Sequence, residues 1–199
     1  MDHYQNIAAR FQQTIENIAM SVDQLAEPIA QASELMTQVL LHDGRLFSAG
    51  NGVDAVISQL LVTSLIGRLD QERPALPAFN LCADGAGITA VLSDEGPADI
   101  FSRPLRALAQ EGDLLLALHS GGDPAAVVAA VEAAHDRGML VVAITCDDGA
   151  ALSSVLQTGD ANIAINAARR SQRVELQTIV VQCLCELIEQ NLFGNYQEN

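Results

Sequence analysis

The sequence predicts a three-layer, doubly wound α/β domain on a five-stranded parallel sheet, preceded by an N-terminal helical extension. Short runs rich in Leu, Val, Ile and Ala alternate with helical patterns from residue 45 to the end. The runs lack the strict apolar–polar alternation of a half-exposed sheet, which suits strands buried on both faces. Gly, Asn, Asp and Ser gather where the runs end, at 50–54, 82–85, 119–123 and 146–149. In such sheets ligands bind at the carboxyl ends of the strands.

Taken in order, residues 4–41 carry two helical patterns with Pro28 between them. In "IAQASELMTQVLLHDG" apolar residues recur at helical spacing, and Gly44 ends the helix. Residues 1–42 are expected to form N-terminal helices used in oligomerisation, and 43–199 the α/β domain. "RLFSAG" (45–50) reads as the first strand, followed by the turn "GNG" and a helix over 54–68. "PAFNLC" (77–82) is a second strand, with helical material over 86–93 and 98–110. "DLLLALH" (113–119) is a third, followed by a helix over 124–136. "MLVVAITC" (139–146) is a fourth, with a short helix near 149–156. "ANIAIN" (161–166) is the fifth, and a long helix over about 172–192 closes the chain. No internal repeat or long linker interrupts this order.

Twenty-five acidic residues stand against ten basic ones, every base is Arg, and the net charge is −15. That balance argues against direct nucleic-acid binding, which depends on cations neutralising phosphates. It leaves solubility and a basic protein partner. No signal peptide or apolar run of membrane-spanning length is read, so the expected location is the cytoplasm. Cys183 and Cys185 lie two apart on a helix and face different ways, and Cys82 and Cys146 sit at strand ends. With no partner ligands at zinc-site spacing, the expectation is buried thiols, with no metal and no cofactor.

Two loops carry the candidate site. In "AGNGVDA", Gly50 and Gly52 permit a tight turn, Asn51 lies between them, and Asp54 opens a helix whose N-terminus would attract an anion. In "HSGGDP", Asp123 before Pro124 reads as an N-cap with Pro at the first helical position. A carboxylate there takes up N–H groups a phosphate would use. It also repels one, by about 3 kcal/mol at roughly 5 Å and an effective dielectric near 20. His119 reads either as a catalytic base or as a packed strand-end imidazole. Ser120, adjacent to it, is expected to point the other way, and Gly121 shapes the turn. "RRSQR" (169–173), the one basic cluster, is either an exposed stretch or an anion-facing or interface cluster. "CDDG" (146–149) reads as a turn and helix cap. Leu192 and Phe193 fall in the last turn before Gly194, either folded onto the domain or forming a hydrophobic anchor for a partner.

These features together resemble the sugar isomerase (SIS) domain family, in the branch of phosphoheptose isomerase and the DnaA initiator-associating protein. The resemblance rests on "GNG" (50–52), "GR" (67–68), "ERPALPA" (72–78), "DIFSRPLRAL" (99–108), "EGDLLLAL" (111–118), "VEAAHDRGMLVVAIT" (131–145), "DDG" (147–149) and "CLCELIEQNLF" (183–193). The last of these is similar to the initiator-associating branch. The resemblance implies a flavodoxin-like fold and a homotetramer with interface pockets and packed N-terminal helices.

Measured against that family, the pocket is degenerate. Asp54 stands at a Ser position, and His119, Ser120, Gly121, Gly122, Asp123 and Pro124 replace the hydroxyl-rich S-T-S/R-G-N-S loop. Ser64 stands at the position of the family's Glu, Gln177 at that of its His, and Leu60 at a further His used for zinc; Asp94 matches the family's "ND". Neither Ser nor Gln titrates near neutral pH, as general acid–base work requires. The expectation is therefore a non-catalytic protein that regulates DnaA-dependent replication initiation through DnaA, with Leu192 and Phe193 as contact residues. On that expectation sedoheptulose 7-phosphate is neither bound nor turned over. The alternatives are a sugar-phosphate isomerase using other residues and a non-catalytic sensor of an uncharged or cationic small molecule.

Overall fold

A computed structural model describes residues 3–70, 72–146 and 150–194. The sheet has five parallel strands, β1 (Leu46–Gly50), β2 (Ala78–Asn80), β3 (Leu114–Leu118), β4 (Leu140–Cys146) and β5 (Ala161–Ile165), in the order β2-β1-β3-β4-β5. The helices are α1 (His3–Leu41), α2 (Val53–Ile66), α3 (Gly85–Asp94), α4 (Ser102–Leu108), α5 (Ala125–Asp136), α6 (Ala150–Ser153) and α7 (Arg170–Phe193), with a 3-10 turn at Pro97–Asp99. The expected doubly wound α/β architecture is the observed one.

Both faces of the central strands are apolar because each meets a helical layer. Leu46, Leu114, Leu116, Leu118, Val142 and Ile144 point toward α1, α2 and α7. Phe47, Ala49, Leu115, Ala117, Val141 and Ala143 point toward α4 and α5. Alternation survives on the edge strands, as on β5, where Ile163 and Ile165 are buried while Asn162 and Ala164 are exposed. At the other edge Phe79 stacks on Phe47 with ring centres 5.1 Å apart, and the Arg45 guanidinium lies over both rings.

Residues 3–41 form one helix, where two were expected. Pro28 lies inside it and removes a single hydrogen bond. The buried stripe runs through the proline without losing phase: Ser21, Leu25, Ile29, Ala32, Ser33, Met36 and Val39 all face inward. Packing along α7 therefore outweighs the break. Polar ties hold the two helices at both ends. Thr14 Oγ1 donates to Glu175 Oε2 at 3.2 Å, Arg10 pairs with Glu175, and Asn191 Nδ2 donates to Thr37 Oγ1 at 3.2 Å.

Helix α7 also runs parallel to α2. Arg170 reaches the turn before α2 at one end, and Cys185 lies against Ser64 at the other. A buried ion pair closes that end, with Arg73 Nη2 2.9 Å from Glu189 Oε1 and side chains 1% and 5% exposed. No helix among the described residues is long and apolar enough to cross a membrane.

Candidate functional site

The loops after β1 and β3 leave neighbouring strands, paired along their whole length from Leu46–Leu114 to Gly50–Leu118, and so meet at one edge of the sheet. A Cβ on Gly50 would stand 2.6 Å from Asp54 Cβ, and Gly52 has φ +63°; each position requires glycine. The turn delivers Asp54 into the first turn of α2 at 1% exposure. Asp54 does not cap its own helix. The cap position is Gly52, without a side-chain bond. Asp54 Oδ2 instead accepts the Ser120 N–H at 2.9 Å, tying the first loop to the second. Its Oδ1 is buried with no hydrogen-bond partner among the described residues.

In the second loop Gly121 and Gly122 take φ +128° and +99°. Asp123 Oδ1 accepts the Ala125 N–H at 3.0 Å, so the carboxylate does engage α5, but the cap position is Pro124 and the helix starts at Ala125, one residue later than expected. Asn51 Nδ2 donates to the Asp123 carbonyl at 3.4 Å, a second tie between loops. His119 is 2% exposed and Ser120 is fully buried at the end of β3. Cys82 Sγ donates to the Gly50 carbonyl at 3.3 Å; burial pushes this thiol up, so it serves as a neutral donor.

The basic cluster, left open by the sequence, comes to this edge. Arg173 is buried, with Nε on the Ala167 carbonyl at 2.7 Å and Nη1 on the Ser120 carbonyl at 3.3 Å. Arg170 Nε donates to Ser120 Oγ at 3.2 Å, and its Nη2 lies 4.0 Å from where a Cβ on Gly52 would stand. Two guanidiniums thus hold Ser120, whose N–H is bound by Asp54. The repulsion of a phosphate reckoned from the Asp123 carboxylate alone omits them. The signal was available, since "RRSQR" is the only basic run in an acidic chain, but its distance in sequence from both loops hid its destination.

The remaining candidates are dispersed in the chain. Ser64 lies ten residues along α2 from Asp54, about 15 Å at helical rise, with its carbonyl accepting from Arg73 at 2.7 Å. Gln177 is buried on α7, and neither amide atom has a partner among the described residues. Leu60 packs against the core. Asp94 is exposed at the far end of α3. Leu192 packs on the core while Phe193 is 39% exposed, so the pair divides between fold and surface. Gly194 ends α7 as expected, with φ +87° and its N–H on the Gln190 carbonyl. The turn at 147–149 lies outside the described residues.

A family model described as "SIS domain" matches residues 10–146. The chain belongs to the SIS domain family. A phosphoheptose isomerase of Chromohalobacter salexigens is 37% identical over 195 residues, covering 98% of this chain and 99% of that protein. One from Coxiella burnetii is 34% identical over 199 residues, all of both chains. Among solved structures, a phosphoheptose isomerase from Francisella tularensis superposes with a TM-score of 0.90 at 34% identity, covering 96% of this chain and 100% of that one. One from Neisseria gonorrhoeae gives 0.88 at 32%, covering 94% and 98%. These full-length relatives overturn the expectation of a non-catalytic regulator of DnaA. They favour the isomerase alternative: the whole of this SIS domain, both helical layers included, is built like theirs.

Proposed function

We propose that the chain is a sugar-phosphate isomerase of the phosphoheptose type. The observation that carries this is likeness along the entire chain to proteins named for that activity, together with two glycine loops joined by Asp54 at the carboxyl ends of β1 and β3. Aldose–ketose interconversion removes a proton from the carbon beside the carbonyl, passes through an enediol and returns a proton to the neighbouring carbon. It needs a group that titrates and touches the substrate. Ser64 and Gln177 supply none, so the proton falls to the loops. Asp54 holds Ser120 with one oxygen and keeps the other without a hydrogen-bond partner among the described residues, an arrangement suited to a base fixed in orientation. His119, buried beside Ser120, is the second titratable group there.

The assembly we propose is a homotetramer in the cytoplasm. Tyr4, Ile7, Phe11, Ile15, Met20 and Val22 leave a long apolar stretch of α1 in water in one chain, and all four thiols are unpaired.

The test is turnover of sedoheptulose 7-phosphate by purified protein in heavy water. Isomerisation with deuterium entering the product, reduced by roughly 10²–10⁴ in Asp54→Asn, is the expected result. Folded wild-type protein that neither isomerises the sugar nor exchanges its proton would overturn the proposal.

A further inference from the structure

Helix α2 carries the proposed base, yet it begins without a side-chain cap, its cap position being Gly52. Its first turn is therefore held from outside, and Ser120 supplies one hold, through Asp54. A second comes from beyond both glycine loops, at Asn80, the last residue of edge strand β2. Asn80 Oδ1 accepts the Ser58 hydroxyl at 3.0 Å and the Cys82 N–H at 2.8 Å, and its Nδ2 donates to Gln59 Oε1 at 2.7 Å. An Asx-turn that only ends a strand needs the bond to Cys82 and no more. The bonds to Ser58 and Gln59 tie the same amide to α2. Ser58 is fully buried and stands four residues after Asp54, on the same face of the helix.

The turn carries the tie further. Asn80 is paired with Ser48, and the same register continued two residues brings Cys82 beside Gly50. There Cys82 Sγ donates to the Gly50 carbonyl at 3.3 Å. Gly50 is the residue against which Asp54 packs, since a Cβ on it would stand 2.6 Å from Asp54 Cβ. One amide thus reaches both ends of the segment that carries Asp54, Ser58 directly and Gly50 through Cys82. We propose that Asn80 is a positioning residue for the reaction, clamping residues 50–58 so that Asp54 keeps its orientation toward the substrate. The role rests on the isomerase proposal for its chemistry, whereas the clamp itself needs no substrate. Asn80 acts through Asp54, and a misplacement of a reacting group by about 1 Å costs on the order of a hundredfold in rate.

The experiment measures isomerisation of sedoheptulose 7-phosphate, and amide hydrogen exchange without substrate, on the full chain as wild type, Asn80→Ala, Cys82→Ala, Cys82→Ser and Asn162→Ala. Asn162 is the matched control, an asparagine on the other edge strand, β5, whose Oδ1 accepts the Thr145 hydroxyl at 2.9 Å and whose Nδ2 donates to Ser153 Oγ at 3.4 Å. Asn80→Ala is expected to lower kcat roughly tenfold to a hundredfold with KM changed by less than about threefold. Cys82→Ala should lower kcat less, and Cys82→Ser, which restores a donor to Gly50, should recover most of that loss. Asn162→Ala should leave kcat unchanged. Exchange over residues 51–58 should quicken roughly tenfold in Asn80→Ala while that of β3 stays as in wild type. An unchanged kcat in Asn80→Ala, an equal fall in Asn162→Ala, or unchanged exchange over 51–58 each overturns the inference. Quickened exchange in Asn80→Ala with no turnover by wild type overturns the isomerase reading and keeps the clamp; turnover by wild type that Asn80→Ala does not slow does the reverse.

Discussion

Replacing Glu189 with Gln tests how much of this fold depends on one buried charge. Glu189 Oε1 accepts from Arg73 Nε at 3.0 Å and from the Leu69 N–H at 3.2 Å. Arg73 also donates to the carbonyls of Ser64, Leu65, Gly67 and Pro74 at 2.6–3.2 Å, so it ties off the end of α2 and binds it to α7. Gln keeps the size and the acceptor but removes the counter-ion from a guanidinium 1% exposed. Breaking one partner of a buried pair costs about 3–5 kcal/mol. The lower end applies, because the carbonyls remain to solvate Arg73. For a domain of this size about 3 kcal/mol corresponds to a fall in Tm of roughly 6–12 °C. The assay is urea and thermal unfolding at one fixed protein concentration, since assembly would couple stability to concentration. Arg73→Met with Glu189→Leu should recover more than half the loss. A fall of less than about 2 °C for Glu189→Gln, with the urea slope unchanged, would refute the reasoning and mean that water or local relaxation screens the pair.

Burial pushes the Cys185 thiol up to about 12 from 9.0, with Glu189 adding to the rise. The neutral thiol therefore contributes stability in full below pH 9, and loses it as pH rises toward 12; urea midpoints should fall over that window and fall less in Cys185→Ala. Leu192→Ala should cost about 2 kcal/mol and Phe193→Ala less than about 0.5, because only Leu192 packs on the core; equal losses in urea unfolding would contradict this division. Light scattering at micromolar concentration should give the mass of four chains, and a stable monomer would remove the proposed assembly.

Most of the fold was legible because the sheet leaves a plain record. Leu114–Leu118 and Leu140–Cys146 are apolar without alternation, and a strand covered on both faces needs nothing else. Pro28 misled because proline's local cost is visible in sequence, while the packing that outweighs it comes from residues about 150 positions away. The site was half legible. Glycine requirements at 50, 52 and 121 are local and could be read. The partner of Asp54 could not: a carboxylate at a helix start has its own N–H groups within reach, and only the pairing of β1 with β3 shows that Ser120 is offered instead. For Arg170 and Arg173 the relevant separation is about fifty residues, beyond any periodicity.

The packing of α1 along α7 sets an order of events during synthesis. Helix α1 is matched to α7, and between the two the chain runs through all five strands. Until Arg170–Phe193 emerges, the stripe from Leu25 to Val39 lacks the helix it packs along, and the sheet face it shares with α2 is incompletely covered, while the other face can close on α4 and α5. Domains fold as units and exposed apolar surface invites misassociation in the interval. Completion of this domain therefore waits for α7, and a nascent chain stalled before residue 170 would present part of a core to whatever holds it.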